Sequence, residues 1–445
     1  MPVGQRFSPL GSSVIGTKPD SLLLKNGRII DPGTGTRLSG DLLIEAGVIS
    51  RVGNIDETCA AIMLDVSGKL IVPGLIDVHV HLRDPGFPEK ETIESGCQAA
   101  AAGGFTSVVC LPNTEPPIDS PAVVEQIRAK ATTTDARVHI VGCGTVGMAG
   151  DEISDTQALL DAGVVGFSDD GLPIESRDIM RELLRRSEES GFVVCPHVED
   201  FRHTRGGHMH EGPVSRRLGL KGMGSEGESA MIERDIELLR EVGGKLHILH
   251  ISVRRSIDLV REAKAEGLSV TTEACPHHFI LTDADVPIYG TSGKMSPPLR
   301  PTDDREAVLE GLADGTIDII ATDHAPHTTE EKLRYFPEAP NGILGLETAV
   351  GSILTSLVEP GILTVEDVVA KMTCIPARLY GLLEGTLETG TPADVTVIDP
   401  NRTWQVDATM FRSKSRNTPF HGWTFTGCAT TTILGGRITH HQTTD

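Results

Sequence analysis

The chain has 445 residues, with 62 acidic and 40 basic side chains and a formal net charge of −22. That balance excludes the extended basic footprint of a nucleic-acid binder and opposes docking on an anionic membrane. With 39% hydrophobic and 23% charged residues, the chain can bury a large core, which excludes global disorder.

Residues 1–18 are polar and rich in Gly, Pro and Ser, and they read as a flexible tail. They lack the apolar stretch of a secretory leader. No run approaches the roughly 18–20 apolar residues of a membrane helix, so the expected compartment is the cytoplasm. The eight cysteines are scattered without a CxxC pair and read as buried small hydrophobes. From Ser21 to about Ile71, short β-rich segments alternate with turns (LLLKNGRII, DLLIEAGVISRVG, KLIVPG).

From about Ile71 to Leu357 the pattern changes to short apolar runs alternating with longer amphipathic ones. Eight strands are predicted: IVPGLIDVH (71–79), TSVVCLP (106–112), RVHIVG (137–142), VVGFSDD (164–170), FVVCPH (192–197), KLHILH (245–250), LSVTTEA (268–274) and IDIIATD (317–323). Helical stretches separate them, several opening on Ser or Asp and closing on Gly. After about Pro376 the β-rich pattern returns in ADVTVIDP, TWQVD and GCATTTILGGRITH. The predicted architecture is α/β. A (β/α)₈ TIM-like barrel spans 71–375, and both termini (19–70 and 376–445) build one small β-sandwich domain.

Chemistry-bearing residues collect at the predicted strand ends. His79 and His81 are two apart at the end of the first strand, so both share one face. Two imidazoles at that spacing suit a Zn²⁺-type ion. The fourth strand ends in Asp169-Asp170, the fifth in His197, the sixth in His250 and the eighth in Asp323. Each alone reads first as a helix cap, for Asp, or a satisfied core residue, for His. Together they converge on the barrel mouth, where such folds place their chemistry. One or two Zn²⁺ per subunit are expected, and because six ligands exceed one tetrahedral ion a binuclear site is favoured, with Asp170 as the candidate bridge.

The motifs DVHVHLRDPG, CLPNTEPP, GFSDDG, PHVED, LHIS, ACPHHF, MSPPLR and ATDHAPH follow the order and spacing of class I bacterial dihydroorotases. The chain resembles that family, within the amidohydrolase superfamily, from about residue 21 to 438. The resemblance implies a metal-dependent cyclic amide hydrolase of pyrimidine biosynthesis that interconverts dihydroorotate and N-carbamoyl-L-aspartate. It implies that His79, His81 and Asp323 hold the more buried ion, that His197 and His250 hold the second, and that Asp170 bridges. It also implies attack by a bridging hydroxide, with Asp323 as general base and acid. Many superfamily relatives bridge with a carbamylated lysine; no Lys occurs between Asp161 and Asp178 here.

For the substrate, Arg83 continues the alternation after His81 and offers a bidentate grip on a carboxylate. Asn113 offers a donor and an acceptor. The resemblance adds His81, His327, Ser296, Asn341 and Gly342 as substrate contacts. Ser296 and Asn341 depart from residues common among relatives, which leaves hydantoinase or allantoinase chemistry as the alternative. A catalytically silent scaffold is a third reading. The long polar stretches 201–225 and 328–342 are candidate lids, and His203, His208 and His210 within the first are candidate adventitious ligands. A homo-oligomer is expected, and some relatives associate with aspartate carbamoyltransferase.

Overall fold

The structure, a computed structural model, describes residues 15–442. Eight parallel strands form one sheet in chain order: Leu75–Val80, Phe105–Cys110, Arg137–Cys143, Gly166–Ser168, Val193–Val194, Leu246–Ile248, Val270–Ala274 and Ile319–Ile320. The sheet closes because the chain beyond the eighth strand pairs with the end of the first. His81 N–H donates to the His324 carbonyl at 2.9 Å, and Val80 and His324 form a parallel bridge. This is the expected (β/α)₈ barrel.

The outer helices start and stop where the sequence punctuates them. Thr92 and Ser95 form a capping box at the head of Ile93–Gly103, and Gly104 closes that helix at φ 94°. Ser176 caps Arg177–Ser190, whose Met180, Leu183 and Leu184 face the barrel wall. Inside the barrel, Ile76, Val78, Val109, Val141 and Leu249 fill the lower layers. Helix Cys374–Tyr380 closes the floor with Ala377 and Tyr380. The packed floor leaves the opposite mouth for polar groups.

The first strand carries a register irregularity between Asp77 and Val80. Ile76 and Val78 belong to the interior cluster, yet His79 and His81 also point inward, above them. A bulge of this kind re-aims side chains by one residue. Simple alternation would have put His79 on the face opposite Val78.

The remaining strands come from both termini and form one eight-stranded sheet. Its path runs Arg437–His441, Thr424–Leu434, Val395–Gln405, Leu70–Pro73, Ser21–Asp31, Thr36–Glu45, Val48–Gly53, with Ile62–Asp65 added beside Ser21–Asp31. The sheet curls until its ends meet. Ala393 N–H donates to the Gly47 carbonyl and Gly436 N–H to the Ala393 carbonyl, both at 3.0 Å. Leu42, Ile44 and Ile49 from one end then share a core with Ile433 and Ile438 from the other, giving two facing layers.

The boundaries differ from the expected ones. The predicted first strand over 71–79 splits at Gly74: Leu70–Pro73 pairs within the terminal sheet, and Leu75–Val80 opens the barrel. A Cβ on Gly74 would lie 2.0 Å from Thr106 Oγ1, so the crossing has no room for a side chain. The predicted boundary at 376 falls inside the helix that closes the barrel floor. An apolar run and a helix do not reveal which sheet they pack on. The described end of the expected tail is tied down: Gly16 donates to the Ile438 carbonyl, and Ile438 donates to the Thr17 carbonyl. Residues 1–14 lie outside the described residues.

The two long polar stretches carry short elements. Residues 201–225 contain helices Phe201–Thr204 and Pro213–Leu218 and a parallel ladder of Met209–His210 with Gly222–Met223. Residues 328–342 contain one short helix, Thr329–Lys332. No helix among the described residues is long and apolar enough to cross a membrane.

Candidate active site

The strand ends bring six predicted ligands together at the mouth, and their atoms sort into two groups around Asp170. His79 Nε2 and His81 Nε2 lie 3.6 and 3.5 Å from Asp170 Oδ2, and 3.4 and 3.1 Å from Asp323 Oδ1. His197 Nδ1 and His250 Nε2 each lie 3.4 Å from Asp170 Oδ1, and 3.1 Å from each other. Ligand bonds of about 2.0–2.1 Å around a tetrahedral ion put the ligand atoms roughly 3.3 Å apart. Both groups have that spacing, and each uses a different oxygen of Asp170. His79 Nε2, Asp170 Oδ1 and His250 Nδ1 are buried without a hydrogen-bond partner. Buried polar atoms are rarely left so, and two of these three lie among the converging atoms. The donor set fits divalent cations of the zinc type.

Further residues aim the imidazoles, and sequence reasoning missed most of them. Glu273, on the seventh strand, lies 2.5 Å from His79 Nδ1 and 3.1 Å from His247 Nε2. Asn113 Oδ1 lies 2.8 Å from His81 Nδ1, and Glu199 Oε2 lies 3.1 Å from His197 Nε2. Each partner takes the ring nitrogen that faces away from the cluster, as metal-binding histidines require. Asp77 accepts from Thr322 Oγ1 at 2.6 Å and Thr322 N at 3.1 Å, tying the first strand to the eighth beside Asp323. Burial pushes the Asp77 carboxyl up to about 7. The signal for Glu273 was an acidic residue inside the apolar run LSVTTEA.

The charges are strongly coupled. Burial opposes ionisation of Asp323, but the imidazoles of His79, His81 and His250 outweigh it and hold its carboxyl well below the usual range. Burial likewise opposes ionisation of Asp170, which His79, His197 and His250 hold in the anionic form. Burial disfavours charge on His197, yet Asp170 and Glu199 raise it to about 10. Backbone strain sits here too. Arg83, His250 and Asp323 have φ of 59°, 34° and 50°, in the left-handed region that side chains avoid. Such conformations cost about 1–3 kcal/mol each and cluster at functional sites.

Arg83, Asn113, Ser296, His327, Asn341 and Gly342 line the same open cleft of about 680 Å³. Arg83 reaches it through its left-handed turn beyond the strand end, not through the alternation expected for it. The neighbouring Asp84 pairs with Lys130 and not with Arg83. His327 Nε2 lies 2.7 Å from the Asn341 carbonyl and 3.3 Å from Arg83 Nη2. The carbonyl requires Nε2 to donate, which leaves that Arg83 N–H without an acceptor in His327. The Asn113 carbonyl oxygen is taken by His81, so its amide N–H₂ is what remains for a ligand. Asn341 contributes its backbone, with its side chain exposed. Of the histidines in 201–225, His210 is buried against Arg300, at 3.4 Å. Among the described residues, no three-ligand group includes His203, His208 or His210; Cys275, His277 and His278 form one that was not foreseen.

A family model described as "Dihydro-orotase-like" matches residues 68–256. The dihydroorotase of Pelotomaculum thermopropionicum is 50% identical over 417 residues, covering 94% of this chain and 98% of that protein. The dihydroorotase of Geobacter metallireducens is 47% identical over 424 residues, covering 95% and 100%. The chain belongs to the dihydroorotase family. It also superposes on an L-hydantoinase (dihydropyrimidinase) from Arthrobacter aurescens with a TM-score of 0.83 at 25% identity, covering 95% of this chain and 96% of that one. A dihydropyrimidinase from Brevibacillus agri shares the fold at 20% identity, with a TM-score of 0.82 and 95% of each chain covered. Dihydroorotase membership thus accounts for the barrel, the terminal sheet and the hydrolase assignment together.

Proposed function

We propose that this dihydroorotase opens and closes the ring amide of dihydroorotate at the Asp170 cluster, with Asp323 moving the proton. The observation that carries the reading is the division of four imidazole nitrogens into two pairs by the two oxygens of Asp170. Two Zn²⁺ ions are the proposed occupants, His79, His81 and Asp323 holding one, His197 and His250 the other, and Asp170 both. Held there, such ions would supply polarisation of the amide carbonyl and a lowered pKa for water.

The chain's own residues do the rest. Arg83 offers a free N–H and the Asn113 amide lines the same cleft; both suit the ring carboxylate. Asp323 is anionic and accepts the proton of the attacking water as its oxygen adds to the carbonyl carbon. As the C–N bond breaks, the same carboxyl returns the proton to the departing ring nitrogen. The product is N-carbamoyl-L-aspartate. Ring closure runs through the same groups in reverse. Proton transfer of this kind is worth about 10²–10⁴-fold.

Asp323→Asn tests the reading. It preserves shape and an oxygen ligand but removes the base. The expected result is retained metal with dihydroorotate turnover down by about 10²–10⁴-fold. Near-normal turnover in a metal-loaded variant overturns the role.

A further inference from the structure

We propose that Asn417, on a loop of the terminal β-domain, is the positioning residue that sets the substrate end of the cleft. The inference rests on the reading above, in which Arg83, His327 and the Asn341–Gly342 backbone face the ring. Asn417 lies between strands Val395–Gln405 and Thr424–Leu434, outside the barrel in sequence, yet it is buried beside the cleft. Its Nδ2 donates to the Ala325 carbonyl at 2.9 Å and to the Gly342 carbonyl at 3.0 Å. Its Oδ1 accepts from His327 N–H at 3.1 Å, and its own carbonyl accepts from Leu344 N–H at 2.9 Å. One side chain therefore joins the two segments that present His327 and Gly342.

Only a carboxamide can make this join. The two carbonyls need two N–H donors and the His327 amide needs an acceptor, and Asn supplies both from one planar group. The two segments are already in contact. A Cβ on Gly342 would lie 2.7 Å from Ala325 Cβ, and Gly342 has φ 127°, so only glycine fits against Ala325 here. Without Asn417, two buried carbonyls lose an amide donor and a buried N–H loses its acceptor.

The rest of the loop is anchored on the same side of the barrel. Arg412 and Ser413 donate their N–H groups to the Glu347 carboxylate at 2.9 and 3.1 Å. Ser413 Oγ and Lys414 N–H reach Glu91, whose carboxylate lies 3.5 Å from His324 Nε2, next to Asp323. Ser415 Oγ donates to the Lys90 carbonyl at 2.8 Å. The terminal β-domain thus holds the eighth-strand loop from outside and delivers that hold through one amide.

The test compares three variants of the metal-loaded enzyme with wild type. Asn417→Ala removes donor and acceptor. Asn417→Asp is isosteric and keeps the acceptor but faces two carbonyls with an oxygen. Ser415→Ala disturbs the same loop without touching the substrate segments. The expected result is a KM for dihydroorotate raised about tenfold or more in both Asn417 variants, with kcat changed much less and metal content full. Ser415→Ala is expected to leave KM unchanged. An unchanged KM in Asn417→Asp, or an equal rise in Ser415→Ala, overturns the proposal. Arg83→Met runs alongside: an unchanged KM there means that the underlying reading of the substrate end has failed, whatever Asn417 does.

Discussion

The two ends of the cleft are held by opposite means. At the metal end, side chains from five strand ends converge, and the barrel's closed hydrogen-bond ladder fixes their spacing. At the substrate end, backbone groups of an irregular segment face the cleft, and the buried side chains of Lys294, Lys332 and Asn417 fix them. Lys294 Nζ donates to the carbonyls of Phe336, Pro337 and Ala339 at 2.7, 3.2 and 2.5 Å. Lys332 Nζ donates to the carbonyls of Lys294, Pro340 and Gly342 at 3.3, 3.0 and 3.0 Å. A half-buried segment without a ladder must still satisfy the carbonyls it turns inward. Here two ammonium groups and one amide do so, and the segment gains a defined shape. A carboxylate cluster built on strands needs cations supplied from outside; a carbonyl cluster built on a loop brings its own.

The largest expected effect separates the ends most sharply. Asp170→Ala removes both oxygens about which the ligands divide, so bound metal and dihydroorotate turnover both fall to background. Elemental analysis of the purified variant checks it, and a full metal complement would remove Asp170 from the centre of the site. Glu273→Gln is milder. It keeps the shape but weakens the grip on His79 Nδ1, and metal affinity is expected to fall about 10–100-fold, read by competition with a chelator. The protons give this prediction a sign. Burial opposes charge on His79, but Glu273, Asp323 and Asp170 hold its pKa well above the usual value, while His197 is raised to about 10. At pH 7 the metal-free cluster therefore holds protons that entering metal must displace. Apparent affinity rises with pH across the interval between neutrality and about 10. Calorimetry in two buffers should show about two protons released per loaded site at pH 7. Release of none would mean that the histidines are already neutral.

The metal end was readable in the sequence because its signal is chemical and periodic. A metal-competent side chain stood at the end of five of the eight predicted strands. What the pattern could not show was the bulge after Asp77, which places His79 and Val78 on the same side of the strand. Nor could it show that Arg83 reaches the cleft through a left-handed turn. The substrate end was only half readable. His327 sits in the ATDHAPH motif, but Gly342 and the groups that hold the two sit in none of the motifs. Asn417 is 75 residues from Gly342 in sequence, and Lys294 is 42 residues from Phe336. A lone Lys or Asn in a polar stretch reads as a solvated surface residue. Its burial depends on pairings across domains that no local window contains. Glu273 lies between: an acidic residue in an apolar strand is a local anomaly, but its partner, 194 residues away, is visible only in the fold.

The smallest expected effect falls on the substrate end and tests whether its cations are structural. Lys332→Met keeps the aliphatic stem and deletes the ammonium. Three carbonyls lose a charged donor, and two of them, those of Pro340 and Gly342, flank or form the wall of the cleft. Leaving buried acceptors unsatisfied costs about 1–3 kcal/mol, so the denaturant midpoint is expected to fall with an unchanged slope. KM for dihydroorotate is expected to rise about threefold, with kcat and metal content unchanged, because the Gly342 carbonyl keeps its bond to Asn417. Loss of metal from this variant would show that the two ends are mechanically coupled, and the contrast between them would fail. A lower midpoint with KM unmoved would mean that Asn417 alone shapes the substrate wall and that the lysine serves only the fold.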